Sequence, residues 1–455
     1  MAQYHDHWDN TNETPTTHLM QLLLVLATGA SLYPEIHIGD KGRQPSHGLA
    51  RRWIEVVESW LLSASSPPPE SWPALTIQCL LIIAKRANFL HESALWVTTG
   101  ATVRWAMAGG YHQEAPPSAR ISTFHREMRR RLWITIVELD LQASFERGMP
   151  PSIKTGDYNT NLPLHIEDDA ICETATQPPQ QQPLTTWTQT SFQVIFHQSF
   201  FIRLKVCSFI NSPQDHPHDQ ADFDHFIRLA EDLAQAIVDL PNWNTTSADF
   251  RQRQITTYVE RMLSMLLNQY VLILHMPWAI QKSPHFRSRI SRNARLDASL
   301  VILQQYRRLA DDEIIPESAC RNGLVLAALN LCHELYLRSE SSRKLPRYSP
   351  FPGTEIFWEC QNINKLDSND AILALPDIVH SLISVAEQAL SLLETRAAAK
   401  IEGLNEHYTV SMVIGLLKSK IWPESSSLWS KEAAERVIHV GKLITTSIAS
   451  NLESW

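Results

Sequence analysis

The feature that most constrains this chain is the spacing of its apolar residues, which recur every three or four positions in one segment after another. That period lines one face of a helix, whereas a strand turns a side chain to the same face every second residue. Such segments run over Leu19–Tyr33, His47–Ser63, Ala74–Phe89, Ser93–Gly109, Ser122–Arg147, Trp187–Ile210, Phe223–Asp239, Ile255–Ile280, Ala294–Asp311, Arg321–Arg338, Asp377–Arg396 and Glu432–Asn451. No useful length of sequence alternates apolar and polar residues as a half-buried strand does. Proline-rich or polar breaks fall at 63–73, 115–119, 149–157, 174–186, 211–220, 339–353 and 366–370. Glycine is scarce, 14 in 455 residues, and 44 % of residues are apolar, which fits helices around a buried core and excludes disorder of the whole chain. The fold class is therefore all-α, with enough chain for one large domain or two to three ordinary ones. The Pro/Gln stretch 174–186, TATQPPQQQPLTT, reads as a mobile linker.

A formal net charge of −8 argues against a chain whose main task is neutralising nucleic-acid phosphates, since such domains carry concentrated positive surface. Residues 1–18 read as a polar disordered tail with Asp6 and Asp9 where a secretory signal would be basic. The apolar run behind them, Leu19–Ala27, is too short to span a bilayer, so no membrane association is expected. Six cysteines match the number in a binuclear zinc cluster, but the closest pair, Cys320 and Cys332, lacks CxxC spacing. They read as free thiols in a reducing compartment.

Catalytic patterns are missing where they would be needed. No GxxxxGK[ST] or GxGxxG loop is present to cradle a phosphate, and no GxSxG or HExxH supplies a nucleophile or a zinc-bound water. The acidic pairs Asp311-Asp312 and Asp168-Asp169 lack the DDxxD spacing that would hold magnesium in a helical cyclase. No residue receives a catalytic or metal-binding role, and the chain reads as a non-enzyme.

The stretch Phe124–Pro163, FHREMRRRLWITIVELDLQASFERGMPPSIKTGDYNTNLP, combines an acidic residue, an arginine run, Leu-Trp, a helix with an aspartate, a Gly-x-Pro turn and a run to Leu-Pro. It resembles the signature of the fungal-specific transcription factor domain, the middle homology region of fungal zinc-cluster and zinc-finger regulators. Glu127, Arg129, Arg130, Arg131, Leu132, Trp133, Asp140, Gly148, Pro150, Leu162 and Pro163 stand at the signature's places. Met149 stands where the family usually has arginine, and Ile134 where it usually has a second tryptophan. Upstream, Leu75–Ile82 and Leu95–His112 resemble the family's helix pair, and downstream Gln269–Ala279 resembles its Leu-His-x-Pro helix end. The resemblance is strongest from Leu19 to about Asp311.

The resemblance implies one regulatory domain over 19–455, all-helical and nuclear, which modulates RNA polymerase II transcription through an attached or partnered DNA-binding module. Its partners would be other transcription factors or a second copy of itself, with a small-molecule effector, and DNA would be met only indirectly. The chain itself would hold no cofactor, because zinc would belong to a DNA-binding domain that is not recognisable here. The alternative is a stand-alone helical protein that binds a ligand or partner without acting on transcription.

Taken as residues alone, Ser122 is an N-cap candidate, and Phe124, Met128, Leu132, Thr135 or Ile136, Leu139 and Ala143 trace an apolar stripe with Trp133 just beside it. Successive helical residues point about 100° apart, so Arg129, Arg130 and Arg131 cannot all face one ligand. Asp140 needs a partner near the core, either the Gly148–Ser152 turn or an arginine of the run. Gly148 and the two prolines after Met149 end the helix. A second basic run, Lys282, Arg287, Arg289, Arg292 and Arg295, is the candidate phosphate-binding or import patch, set against the commoner reading of a solvated loop leading into a helix. Elemental analysis of the purified chain is expected to find no stoichiometric zinc; about one or two tightly held ions per chain would contradict the cysteine reading.

Overall fold

The computed structural model describes residues 15–31, 35–37, 43–90, 92–116, 119–211, 220–243, 250–280, 286–312, 321–344, 368–399 and 404–452. The helices in chain order are α1 Thr16–Ala30, α2 Ser46–Leu61, α3 Trp72–Ala87, α4 Glu92–Ala108, α5 Thr123–Arg147, α6 Ser191–Gln198, α7 Phe200–Ile210, α8 Gln220–Val238 and α9 Phe250–Leu274. They continue as α10 Met276–Ala279, α11 Phe286–Asp311, α12 Arg321–Lys344, α13 Ser368–Ala399, α14 Leu404–Ile421 and α15 Ser426–Leu452. The all-α expectation holds. One small addition is an antiparallel pair, β1 Glu35–His37 and β2 Arg43–Pro45, too short for any alternation to announce it.

Packing divides the chain into two units, Met1–Pro277 with Asp311–Asn322, and Trp278–Ala310 with Gly323–Trp455. The sequence reading takes 19–455 as one domain; its apolar periodicity identifies buried faces but not which faces share a core. In the first unit α3 is apolar nearly all round, as a helix between two cores must be. Ile77, Leu81 and Ala84 pack with Leu24 and Ala27 of α1 and Ile54 and Val57 of α2. Leu75 and Cys79 instead join Val103 of α4, Trp133, Ile136 and Leu141 of α5, and Phe200 and Leu204 of α7. In the second unit Leu390 and Leu393 of α13, Val410 and Ile414 of α14, and Val440 of α15 are buried. The backbone of α14 comes so close to α15 that a Cβ on Gly415 would lie 2.8 Å from that of Ala433.

Several boundaries differ from the periodic reading for local reasons. Trp187–Ile210 breaks into α6 and α7 at Ser199, whose hydroxyl donates to the Phe196 carbonyl and competes with the helical ladder. The sequence reading has no helix at α14, because the buried face of that helix includes His407, Ser411 and Lys418, which thin its apolar period. Within the Pro/Gln stretch the Gln182 amide donates to the His165 carbonyl at 2.8 Å, and Gln181 Oε1 accepts from the His165 amide at 3.0 Å. Trp133, placed beside the stripe by sequence, is fully buried at the centre of the core. Phe124 and Met128, expected on the stripe, are only half-buried.

Trp133 meets Tyr158 edge to face at 5.5 Å between ring centroids, and His112 at 6.2 Å. Truncating so large a buried ring leaves a cavity that surrounding helices fill only in part. Trp133→Ala is expected to lower unfolding free energy by roughly 3–5 kcal/mol in denaturant titration. A variant as stable as the parent would contradict this account of the core.

Candidate functional site

Helix α5 starts where Ser122 Oγ accepts from the His125 amide at 3.2 Å, the N-cap its sequence position suggested. It ends where Gly148 takes the left-handed conformation, φ 67°, with the Met149 amide reaching back to the Ser144 carbonyl at 2.9 Å. This closing turn satisfies carbonyls that a straight end would leave bare, and a side chain at Gly148 would be strained by the dihedral alone. Pro150 cannot continue the helix, so the chain leaves as an irregular strap over 149–168, with a turn at 155–157.

The three signature arginines point to three different places. Arg129 donates to the Gly110 carbonyl at 2.7 Å and lies 4.2 Å above the Tyr111 ring. Arg130 donates to both oxygens of Glu114 through Nη2 and Nε, at 2.7 and 3.0 Å. Arg131 pairs with Glu127 one turn back at 2.9 Å and with Asp168 at 2.7 Å. Together they hold the turn after α4 and the far end of the strap. Glu127, itself buried, also accepts the Leu164 amide at 3.1 Å. Burial disfavours the ionised form of Glu114, yet Arg130, the Asn161 amide and Arg126 outweigh it and hold its carboxyl below the usual range. Of the two partners the sequence left open for Asp140, the structure has the turn: the Ser152 amide donates at 2.8 Å and its hydroxyl at 3.0 Å, with Thr99 at 3.4 Å. Burial nevertheless pushes the Asp140 carboxyl up, against the pull of those bonds and of Arg104.

Leu132 is buried in the core, Pro163 is the buried point of the strap's signature end, and Leu162 and Pro150 lie at the surface. Met149, at the family's usual arginine position, is exposed, and its carbonyl accepts from Asn211 at 2.9 Å. In this geometry the signature arginines are held by carboxylates and a carbonyl of neighbouring segments, an arrangement we call the clamp.

Beside the clamp lies a group that the sequence did not single out. Arg203 of α7 is 0 % exposed and donates to both oxygens of Glu138 on α5, at 2.9 and 2.8 Å. His197 of α6 adds a contact to Glu138 at 2.8 Å and is within 3.1 Å of the Tyr158 hydroxyl. The Arg203 guanidinium also lies 3.7 Å above the Phe196 ring and donates to Ser199 Oγ at 2.9 Å. Burial opposes ionisation of Glu138, and Arg203 with His197 overcomes it, so the carboxyl ionises below the usual range. A lone arginine inside the apolar run FFIRLKVCSFI was the available signal, since a buried charge needs a fixed partner.

The second basic run does not form one patch among the described residues. Arg292 is bidentate to Glu334 of α12 at 2.9 Å, and Arg295 is buried. Burial pushes the Arg295 guanidinium down to about 10 despite Glu334. Arg287 lies 5.8 Å over the Trp278 ring and Arg289 is exposed, while Lys282 falls outside the described residues. Among the described residues no trio of His, Cys, Asp or Glu is arranged to hold a metal, and no helix is long and apolar enough to cross a membrane. The four described cysteines are free thiols, and burial pushes those of Cys79, Cys207 and Cys332 up to about 12.

Residues 1–212, which contain the clamp and its strap, match the family profile described as "Fungal specific transcription factor domain". Over those residues, 212 of its 455, the chain is similar to the fungal-specific transcription factor domain. Its match ends well short of Asp311, so the Leu-His-x-Pro likeness at Gln269–Ala279 lies beyond the matched span. The chain is 28 % identical over 320 residues to "Transcription factor opdR" of Penicillium oxalicum, covering 68 % of this chain and 39 % of that protein. It is 24 % identical over 378 residues to "Transcription factor lepE" of Aspergillus flavus, 80 % of this chain and 42 % of the other. It is 23 % identical over 471 aligned residues to "Zn(2)-C6 fungal-type transcription factor pigI" of Monascus ruber, 100 % of this chain and 56 % of the other. The chain thus spans 39 % to 56 % of the length of these relatives. No solved structure matches it.

The buried pair fixes an acid dependence. Because the folded Glu138 carboxyl ionises at lower pH than in an unfolded chain, its stabilisation is complete above about pH 4.3 and is lost as pH falls through the folded value. Arg203→Met leaves Glu138 with His197 as its remaining partner and should be destabilising near neutral pH, by up to roughly 3–5 kcal/mol. The double variant Glu138→Gln with Arg203→Met should recover part of that loss and flatten the acid limb. Melting curves recorded across this pH range check both; a single variant that melts like the parent would contradict the pairing.

Proposed function

We propose that this chain is a transcription-regulatory domain, which modulates RNA polymerase II transcription in the nucleus through an attached or partnered DNA-binding module. The observation that carries the reading is the match of residues 1–212 to the transcription-factor domain profile, with the clamp residues of α5 inside it. The names of the relatives, each a transcription factor, support the same reading. Indirect contact with DNA is supported by charge and geometry together. The net charge is −8, and Arg129, Arg130 and Arg131 are each committed to protein partners. An arginine held by a carboxylate or a carbonyl has little left for a phosphate backbone. Contact with other transcription factors or with a second copy, regulation by a small molecule, and the absence of a resident cofactor or catalytic step complete the proposal.

Fusion of the chain to a heterologous DNA-binding domain in a fungal reporter strain tests it. Reporter output is expected to differ severalfold from that of the DNA-binding domain alone, in either direction. The purified chain should bind duplex DNA only weakly, without sequence preference, and less as salt rises. Output indistinguishable from the control would favour the stand-alone binding protein, and sequence-selective binding by the purified chain would refute indirect contact.

A further inference from the structure

Helix α1 contains no Asp, Glu, Lys or Arg, and its apolar residues do not keep to one side. Met20, Leu24 and Ala27 are buried in one core with Ile54 and Val57 of α2 and Ile77, Leu81 and Ala84 of α3. At about 100° per residue, Leu22, Val25, Leu26 and Gly29 fall on the opposite side of the helix. Val25 is 54 % exposed and Leu26 45 %, with Leu22 and Gly29 half-buried. A helix that is apolar all round is one that is covered all round, yet the outer face of α1 lies open. At 15 residues the helix is too short to cross a bilayer, so the cover that fits this face is protein.

The register of the face selects the partner. Leu22, Val25, Leu26 and Gly29 stand at i, i+3, i+4 and i+7, the seam along which two helices pack. This seam is its own complement when the second helix runs antiparallel. A two-fold axis passing midway between Val25 and Leu26 sets Val25 against Leu26 of the other copy, and Leu22 against Gly29 of the other copy. The largest knob then meets the one position without a side chain. Nothing in the described fold otherwise calls for glycine there: its backbone is not left-handed, and among the described residues no atom lies within 4 Å of where a Cβ would stand. An opposing leucine gives that glycine a use, since it lets the two helices approach closely. Charge points the same way. Each copy has a net charge of −8, so two copies repel overall and meet most favourably where neither brings a charge.

From this we infer that the outer face of α1 is a homodimer interface, packed antiparallel on the same face of a second copy across a two-fold axis. It gives a surface to one partner of the functional reading above, and rests on that reading for its regulatory meaning alone.

Sedimentation equilibrium of the full chain tests the inference. The parent should pass from one chain mass to two as its concentration rises through the micromolar range, because a single helix pair is a small interface. Val25→Glu combined with Leu26→Glu sets like charges against each other across the axis and should weaken association at least about tenfold; Val25→Lys combined with Leu26→Lys should do the same. Both positions are exposed, so the helical content of each variant should match the parent. Mixing the two variants places every glutamate opposite a lysine, and a dimer of one copy of each should form. A parent that stays monomeric up to about 100 μM, variants that associate as the parent does, or a mixture that stays monomeric would overturn the interface. Those results would leave the reporter outcome standing, whereas a silent reporter with an intact, charge-reversible dimer would overturn the transcriptional reading alone.

Discussion

Everything in the first unit depends on one constraint: α5 carries a dense set of charges through an apolar core, and each charge near that core must have a fixed partner. The helix solves this by directing its charges at backbone and side chains of other segments. Arg129 and Arg130 take the turn after α4, Glu127 and Arg131 take the strap, Asp140 takes the start of the strap, and Glu138 takes α7. The same bonds that make burial tolerable therefore decide where the neighbouring segments lie. Their net worth lies less in added stability than in the cost of every arrangement that leaves one of them unpaired.

This division explains what the sequence made legible. Helix positions followed from apolar period, and the ends of α5 followed from Ser122 and Gly148, whose roles are local and chemical. The 100° argument anticipated that the arginines diverge, and the aspartate rule anticipated a partner for Asp140 without choosing between two. Long-range pairing was not legible. Nothing in α7 alone names Glu138 as the partner of Arg203, 65 positions away, because the pairing is set by how three helices meet. Of the basic run, the four arginines lie along one helix, where Arg292 is held by Glu334 and Arg295 is buried.

The functional reading gains a physical shape from this arrangement. The arginines of the signature pair within the protein, in a chain of net charge −8.

The central claim is that α5's charges hold the strap and the preceding turn in place. Hydrogen exchange in Glu127→Ala tests it most directly, read at the Leu164 amide, which donates to Glu127 in the folded chain. Loss of a charge-assisted bond should speed exchange there by about tenfold or more, with a smaller rise around Asp168, where Arg131 loses its second anchor. Unchanged protection at Leu164 in a variant that retains the parent's helical content would contradict the claim.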